Sequence, residues 1–448
     1  MRRLAILVVV IGTAIAAATA LASTGSSSGG VSTSRPTYYE KVRPILEGRC
    51  TGCHYKGGIA PFGLKSYAQA FLHRREVAYM VSHRLMPPWR ADKGYRTYRF
   101  DSSLSDPQIR TIVRWVAQGA PKGDSRKARP PLPRAGAPGM SSVDVRQTMP
   151  GPYTPQGLDD YRCFVLPWTP DRPVYVTGID MRPGQRAEVH HVSILIFNAA
   201  ETRAAEALDD ADAAPGFGCS VGMAPAPSQY PYQLLGGWAP GGYGGELPKG
   251  TGVKILPGSH LVVQIHYHNQ NRAPKPDLSR LDLQLSDAVA RPSAWISILN
   301  ANWLTAPDRF EIPPGKKEVR FTFTGDPRTN SSFRLGDLDL SNGFVVHAAA
   351  LHMHMLGSGG KLVIKHAAGS SEMLLSISHW DFMWQSGYQL ASPAVFGKDD
   401  QIQLQCRWDN SAANQPVING VQQRPKLVRW GERSTDEMCV GYLYVSEK

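Results

Sequence analysis

Six of the chain's thirteen histidines fall into three pairs whose spacing suits a metal. His352 and His354 stand in Ala350-Leu351-His352-Met353-His354-Met355. Read as a β-strand, alternate side chains share a face, so the two imidazoles project together while Leu351, Met353 and Met355 face the other way. His190 and His191 are adjacent, His266 and His268 share a face of the run Leu261 to His268, and Met438 precedes Cys439. Imidazole with thioether and no cluster of carboxylates favours copper over magnesium, calcium or manganese. The plainer reading of a His-x-His is two satisfied polar residues at a strand edge. A fourth motif, Cys50-Thr51-Gly52-Cys53-His54, has the Cys-x-x-Cys-His spacing of covalent c-type haem attachment. There the two thiols bond the porphyrin edge and His54 takes the proximal iron position. A redox dithiol or half a zinc site is the alternative, and no second cysteine pair completes a zinc site.

The elements that must position these residues fall into two styles. A helix begins near Tyr38 with Val42, Ile45 and Leu46 as its apolar stripe and runs into the haem motif. Met86, in Leu85-Met86-Pro87-Pro88-Trp89, is the candidate sixth iron ligand, because thioether opposite histidine is a usual pair and two prolines stiffen that loop. Met80, His73 and His83 are its rivals. A closing helix is marked by a Ser105/Gln108 capping box, Pro107 in the first turn, a stripe of Ile109, Ile112, Val113 and Val116, and Gly119 at its end. Residues 37–124 resemble a small c-type cytochrome of the bacterial periplasm. Residues 125–149 are rich in Pro, Arg, Gly and Ala without periodicity and read as a linker. Beyond them, short runs such as Val192 to Phe197, Leu261 to Tyr267 and Leu362 to Ile364 alternate with Gly, Pro, Asn and Asp, the pattern of antiparallel sandwiches. A break near Asp287 to Ser293 divides them into residues 150–288 and 289–448, and Thr202 to Ala214 reads as the only helix, a surface insertion. The expected fold is therefore multidomain: a small all-α cytochrome c domain followed by two antiparallel, jelly-roll-like β-sandwiches.

At 448 residues the chain is long enough for two or three such domains. Arg2-Arg3, an apolar run from Leu4 to Leu21, and Ala20-Leu21-Ala22 before Ser23 form a secretory signal over residues 1–22, followed by a Ser/Gly/Thr linker over 23–36. An uncleaved membrane anchor is the alternative, since the run approaches the ~18 residues that cross a bilayer. Either way the body is exported, to a bacterial periplasm or beyond. A net charge of +12 would suggest nucleic acid in a cytoplasmic protein. Export removes that partner and leaves a solvated basic face, or weak docking to acidic partners and a phospholipid surface. Six cysteines in an exported chain should be oxidised or bound.

Taken in order, the histidine motifs resemble the copper type II, ascorbate-dependent monooxygenases, the family of peptidylglycine α-hydroxylating monooxygenase and dopamine β-monooxygenase. Val189-His190-His191 resembles the family's paired histidines, and Gln264-Ile265-His266-Tyr267 carries the third ligand to that copper. His352-Met353-His354 resembles the His-x-His of the second copper, and Asp436-Glu437-Met438-Cys439 the segment with its methionine ligand. Gly237-Trp238-Ala239-Pro240-Gly241, Ile312-Pro313-Pro314-Gly315 and Asp381-Phe382-Met383-Trp384-Gln385 also look like the family. The resemblance spans about Tyr161 to Val445. It implies two copper ions beside one covalent haem c, disulfides Cys163–Cys219 and Cys406–Cys439, O₂ as co-substrate, and hydroxylation of a C–H bond of a small molecule. On this reading copper on His352, His354 and Met438 binds O₂, and copper on His190, His191 and His266 stores the second electron.

Several positions depart from the pattern. Ala350 stands where the peptide-acting member has an arginine for its substrate's carboxylate, and Val440 where it has an asparagine, although Tyr442 matches a substrate-side tyrosine. A C-terminal glycine peptide is therefore not the expected substrate. His268 is an alternative to His266, His347 lies near the His-x-His, and His260, His366 and His379 carry no motif. Gln264 shares a face with His266 and is a candidate to orient it. The attached haem would pass electrons singly from a periplasmic donor, in the place ascorbate takes in the animal enzymes. The competing class is a non-catalytic haem and copper protein that carries electrons or binds copper, without an apolar pocket. A hydrolase would need zinc and a base, for which Glu188 is the one acid beside a cluster.

Overall fold

Helix signals dominate residues 37–124, with one more over Thr202 to Ala214, and β signals fill most of the rest; the computed structural model divides broadly the same way. It describes residues 35–448 apart from 57, 59, 134–135, 137–138, 220–231, 243, 270–272 and 331–334, so the apolar leader lies outside the described residues. No helix among those described is long and apolar enough to cross a membrane.

The helical segment comprises Tyr38–Val42, Arg43–Arg49, Tyr67–Leu72, Arg74–Ser82 and Asp106–Ala117. Tyr38, Val42, Leu46, Ile112 and Trp115 are buried together at its centre, Trp115 with its indole N–H on the Pro121 carbonyl at 3.0 Å. Ser105 caps the last helix, its amide donating to Gln108 Oε1 at 2.9 Å. Gly119, at φ +85°, stops it, a left-handed turn that costs glycine nothing sterically. A free-standing all-α cytochrome domain is nevertheless not evident. Residues Pro36–Lys448 form one compact unit, and the stretch after Met86 leaves the helices to join the β structure. The expected linker is likewise not a loose tether. Where prolines leave amides unspoken for, these find carbonyls of the first helices (Arg129 on Tyr39, 3.2 Å; Leu132 on Pro44, 3.1 Å), and the linker's end, Val145–Thr148, is a strand.

A nine-stranded sheet runs through the β region in the order Val145–Thr148, Arg280–Ser286, Val174–Arg182, Thr251–Ile255, Arg291–Ile298, Val440–Ser446, Phe344–His352, Tyr388–Phe396, with Gly245–Glu246 paired to Val174–Arg182. Five strands, Phe217–Gly218, Asp159–Val165, His260–His268, Val189–Phe197 and Gln233–Trp238, cover its first half. The four strands Val319–Gly325, Gln401–Trp408, Gly357–Lys365 and Ser371–Ile377 cover its second. Each pairing buries an apolar layer. Phe164, Ile194 and Val263 meet Val176 and Leu283 in the first, and Leu362, Leu404 and Trp408 meet Ile296, Leu351 and Leu443 in the second. The ladders are antiparallel except where Arg291 and Pro292 run parallel to Thr251 and Gly252. That junction sits at the break in the sequence and joins the two sandwich layers through one shared sheet.

The helix expected over Thr202 to Ala214 is Ala199–Ala211, capped by Asn198, whose side chain accepts the Ala200 and Glu201 amides at 2.9 and 3.0 Å. It is not the only helix beyond the linker, since Ala301–Thr305 and Pro327–Asn330 each make a short one. Cys163 is bonded to Cys219 and Cys406 to Cys439, the pairing that the resemblance implies.

Candidate metal centre

Adjacent residues of a regular strand point to opposite faces, yet His190 and His191 act together because the strand is irregular there. Val189 pairs with Tyr267 and His191 with His266, leaving His190 as the extra residue of a bulge that swings its ring to the same side. The nitrogens of His190, His191 and His266 lie within 4.8 Å of one another. His190 donates from Nε2 to the Phe382 carbonyl (2.9 Å), which leaves the Nδ1 lone pair facing His191 Nδ1 at 3.1 Å. His266 donates from Nε2 to Asp159 (3.1 Å), and its Nδ1 is buried without a partner. Burial holds all three imidazoles below their ordinary pKa, helped for His190 and His191 by neighbouring His266. Neutral rings with inward lone pairs and one orphaned nitrogen fit a cation.

The second group forms where the strand Phe344–His352 ends. Leu351 and Met353 drop into the core, and His352 and His354 turn the other way. His352 donates from Nδ1 to Gln385 (2.7 Å) and His354 from Nδ1 to the Asp436 carbonyl (3.2 Å), so the two Nε2 lone pairs face each other at 3.2 Å. Two lone pairs that close repel unless something positive sits against both. Burial makes a proton costly there, pushing His352 down to about 4 and His354 well below its usual value. The donor set again fits a soft or borderline cation. His352 pairs with Val440, the last pair of that ladder, and beyond it Asp436 and Glu437 hold the His354 ring and amide, so Met438 shares the cavity wall with both histidines. Met438 is 7% exposed. Its neighbour Glu437 is fully buried and anchors the turn, accepting from the amides of His354 (2.8 Å) and Leu356 (2.6 Å) and the indole of Trp408 (2.9 Å). Burial pushes the Glu437 carboxyl up to about 7.

The two groups meet at one point: the rings of His191 and His352 are 5.4 Å apart, edge to face. Two hydrogen-bonded bridges hold them. The Phe382 carbonyl accepts from both His190 and Gln385 Nε2 (3.2 Å), the amide whose oxygen holds His352. Asp159 Oδ1 accepts from His266 and His268, while Oδ2 accepts the Ser434 amide and hydroxyl at 3.1 and 2.6 Å, two residues before the carbonyl that holds His354. Burial alone would raise the Asp159 carboxyl, but these donors hold it far below the usual carboxylate range. Tyr161 stacks on His266 at 4.1 Å and donates to the Glu432 carbonyl at 2.6 Å.

Gln264 does not orient His266. Its amide nitrogen turns towards Cys219 Sγ (3.7 Å), and Asp159 orients the ring instead. Asp159 carried no signal in the sequence beyond lying on the strand that pairs Tyr161 with His266. His268 donates to the same carboxylate from Nδ1 at 2.8 Å and keeps a buried, partnerless Nε2, so Asp159, His266 and His268 form a second possible metal cluster. His347 is a core residue on Ser446 Oγ (2.8 Å). His260, His366 and His379 bond Leu166, Asp400 and Ser378. Glu188 accepts the Lys275 amide at 3.1 Å.

In the helical segment Cys50 and Cys53 are free thiols, and the His54 amide closes the turn on the Cys50 carbonyl at 2.9 Å. His54 donates from Nδ1 to the Phe62 carbonyl (3.0 Å), which leaves the lone pair on Nε2. Burial pushes the Cys50 thiol to about 12. It raises Cys53 as well, with Arg186, four residues before His190, pulling the other way. His73 and His83 have committed their Nδ1 atoms to Glu76 and the Tyr79 carbonyl. Met86 follows the helix Arg74–Ser82 with its amide on the Met80 carbonyl at 3.3 Å.

A cavity of about 370 Å³ opens on His191, His352, His354 and Met438, with Trp238, Trp295, Tyr442 and Ala350 among its walls. His190 and His266 do not line it.

Residues 298–447 match the family model of the copper type II ascorbate-dependent monooxygenase, C-terminal domain. The match takes in His352, His354, Met438 and both partners of the second disulfide, and it supports a copper-dependent oxidoreductase that uses O₂. Likeness to solved structures is slight. PNGF-II is 9% identical with a TM-score of 0.28, over 68% of this chain and 66% of that one. An allantoicase is 9% identical with a TM-score of 0.15, over 62% and 78%.

Proposed function

We propose that the chain is an exported copper monooxygenase of this family, hydroxylating a C–H bond of a small molecule with O₂ and taking its electrons through a covalently bound haem c. The observation that carries the reading is that the cavity meets all three of His352, His354 and Met438 but only His191 of the other group. Copper held by the first three would supply O₂ chemistry, and copper held by His190, His191 and His266 would supply the second electron by one-electron redox change.

The chain's own residues do the rest. The carbonyls of Phe382 and Asp436, the Gln385 amide and the Asp159 carboxylate each take an N–H and so turn one lone pair of four rings inward. Met438 adds a soft thioether that favours the reduced metal. Tyr442, on the same sheet face as Ala350, meets the substrate side of the cavity. No side-chain base is needed to abstract a proton. A 370 Å³ apolar-walled cavity favours this reading over a copper carrier.

For the haem, Cys50 and Cys53 would hold the porphyrin, His54 Nε2 the proximal iron position and Met86 the distal one. Arg186, four residues before His190, lies close enough for its charge to pull the Cys53 thiol down. The two disulfides suit an oxidising compartment, where a secretory leader over residues 1–22 would send the chain and a periplasmic donor would reduce it. Reducing the haem without O₂ and following copper by paramagnetic resonance tests the relay. Loss of the Cu(II) signal in step with haem reduction is expected, and Cu(II) persisting beside fully reduced haem would sink it. Elemental analysis that finds zinc in place of copper would sink the whole reading.

A further inference from the structure

Having left the helices, the chain from Pro88 to Ser102 lies as a strap along the edge of the shared sheet. Tyr98 bridges to Leu390, the Arg99 amide donates to the Gln389 carbonyl (2.8 Å) and the Ala391 amide to that of Thr97 (3.0 Å). Side chains fasten it: Arg96 to Glu372 at 2.5 Å and the Ser392 carbonyl at 2.7 Å, Asp92 to Ser376 at 2.7 Å, Tyr98 to the Leu374 carbonyl at 3.0 Å. Arg90 pairs with Asp381, beside the Phe382 carbonyl that holds His190. Trp89 packs edge-on against Tyr388 at 5.1 Å. Trp89 and Phe100 then line the same cavity as the histidines.

The strap meets the sheet at Gln389, which pairs with Ala348, four residues along the strand from His352. Ala348, Ala350 and His352 share a face, so the strap's level lies about 13 Å from the histidines at the usual rise per residue. Two alanines, Ala348 and Ala350, keep that stretch of the wall open. Among the described residues, the charged groups along the cavity are Arg99, Glu246 and Glu432. Arg99 is exposed with its guanidinium over the Phe100 ring, and Glu246 is exposed and holds the Ser141 hydroxyl at 2.7 Å. Glu432 is engaged in a polar interaction of its own. Apart from these three and the histidines, the described walls that a ligand would meet between the strap and His352 are uncharged.

Resting on the monooxygenase reading, we propose that the cavity takes an elongated, predominantly apolar molecule, and that Trp89 and Phe100 of the strap set the length it accepts. The specificity wall is thus built by the N-terminal segment.

Calorimetric titration of the full-length protein as purified, without O₂, tests this. The probes are para-phenylphenol and phenol. The long probe should bind at least tenfold more tightly than phenol. Ala350→Trp should weaken it about tenfold or more. Phe100→Ala, and independently Trp89→Ala, should reduce the preference for para-phenylphenol over phenol several-fold with metal and haem content unchanged. Phenol binding as tightly as para-phenylphenol, or a length preference untouched in both strap variants, would overturn the proposal. Because binding is read without turnover, a protein that binds the long probe yet never consumes O₂ with any substrate would instead count against the monooxygenase reading.

Discussion

The two histidine groups differ in which nitrogen they turn inward and in what stands behind it. His190 and His266 offer Nδ1 with Nε2 on a carbonyl and a carboxylate, all mounted on the interior of a five-stranded sheet. His352 and His354 offer Nε2 from the end of a strand and the turn after it, backed by an amide and a carbonyl, with a thioether opposite. A carboxylate behind an imidazole makes it a stronger donor, which suits a metal that changes charge without changing partners. All of the weaker, mixed set lines the cavity, against His191 alone of the other group, which suits the O₂-binding role proposed for it. One group reads as a store and the other as a workplace.

The largest effect that separates them should follow loss of a cavity-facing ligand. His352→Ala is expected to abolish substrate-dependent O₂ uptake and lower bound copper from two ions towards one, while haem content stays constant. Oxygen-electrode traces with elemental analysis check it. Replacing both Cys406 and Cys439 by serine frees the turn that carries Met438, and a drop of about 2–5 kcal/mol in unfolding free energy is expected by denaturant titration. Asp159→Asn acts on the other group. It keeps the shape but weakens the acceptor behind His266, so copper affinity there should fall about 10–100-fold, read by competition with a chelator. If both groups lose metal equally, the carboxylate serves the bridge to Ser434 more than the ring.

The smallest effect concerns a histidine outside both groups. Burial, with some help from Arg291, lowers His347 to about 4 in the fold against about 6.5 unfolded. A depressed pKa means that the unfolded chain binds the proton first. Stability present above pH 6.5 is therefore lost as pH falls towards 4, by at most about 3 kcal/mol. His347→Gln should flatten that part of the pH–stability curve and leave metal content alone.

Candidate metal-binding residues were legible in the sequence because donor chemistry is written in residue types, and the strand period brought His352 and His354 to one face without further help. Pairing His190 with His191 needed a bulge, which only the register against Tyr267 and His266 reveals. Asp159 was illegible for a related reason. A carboxylate on a strand is unremarkable until its neighbour across the ladder is known, and that neighbour is His268. The break near residue 288 was visible, but the parallel contact of Arg291 with Thr251 that carries one sheet across it depends on strands 40 residues apart. Residues 88–102 gave no periodic signal because a strap fastened by side chains and three backbone bonds has none to give.

X-ray absorption at the copper edge of the reduced protein bears most directly on the two unlike centres. We expect one sulfur scatterer for every two copper ions among nitrogen donors, vanishing in Met438→Leu while the nitrogen shell remains. No sulfur in the native protein, or sulfur that survives the substitution, would contradict the assignment of Met438 and with it the division of roles between the two groups.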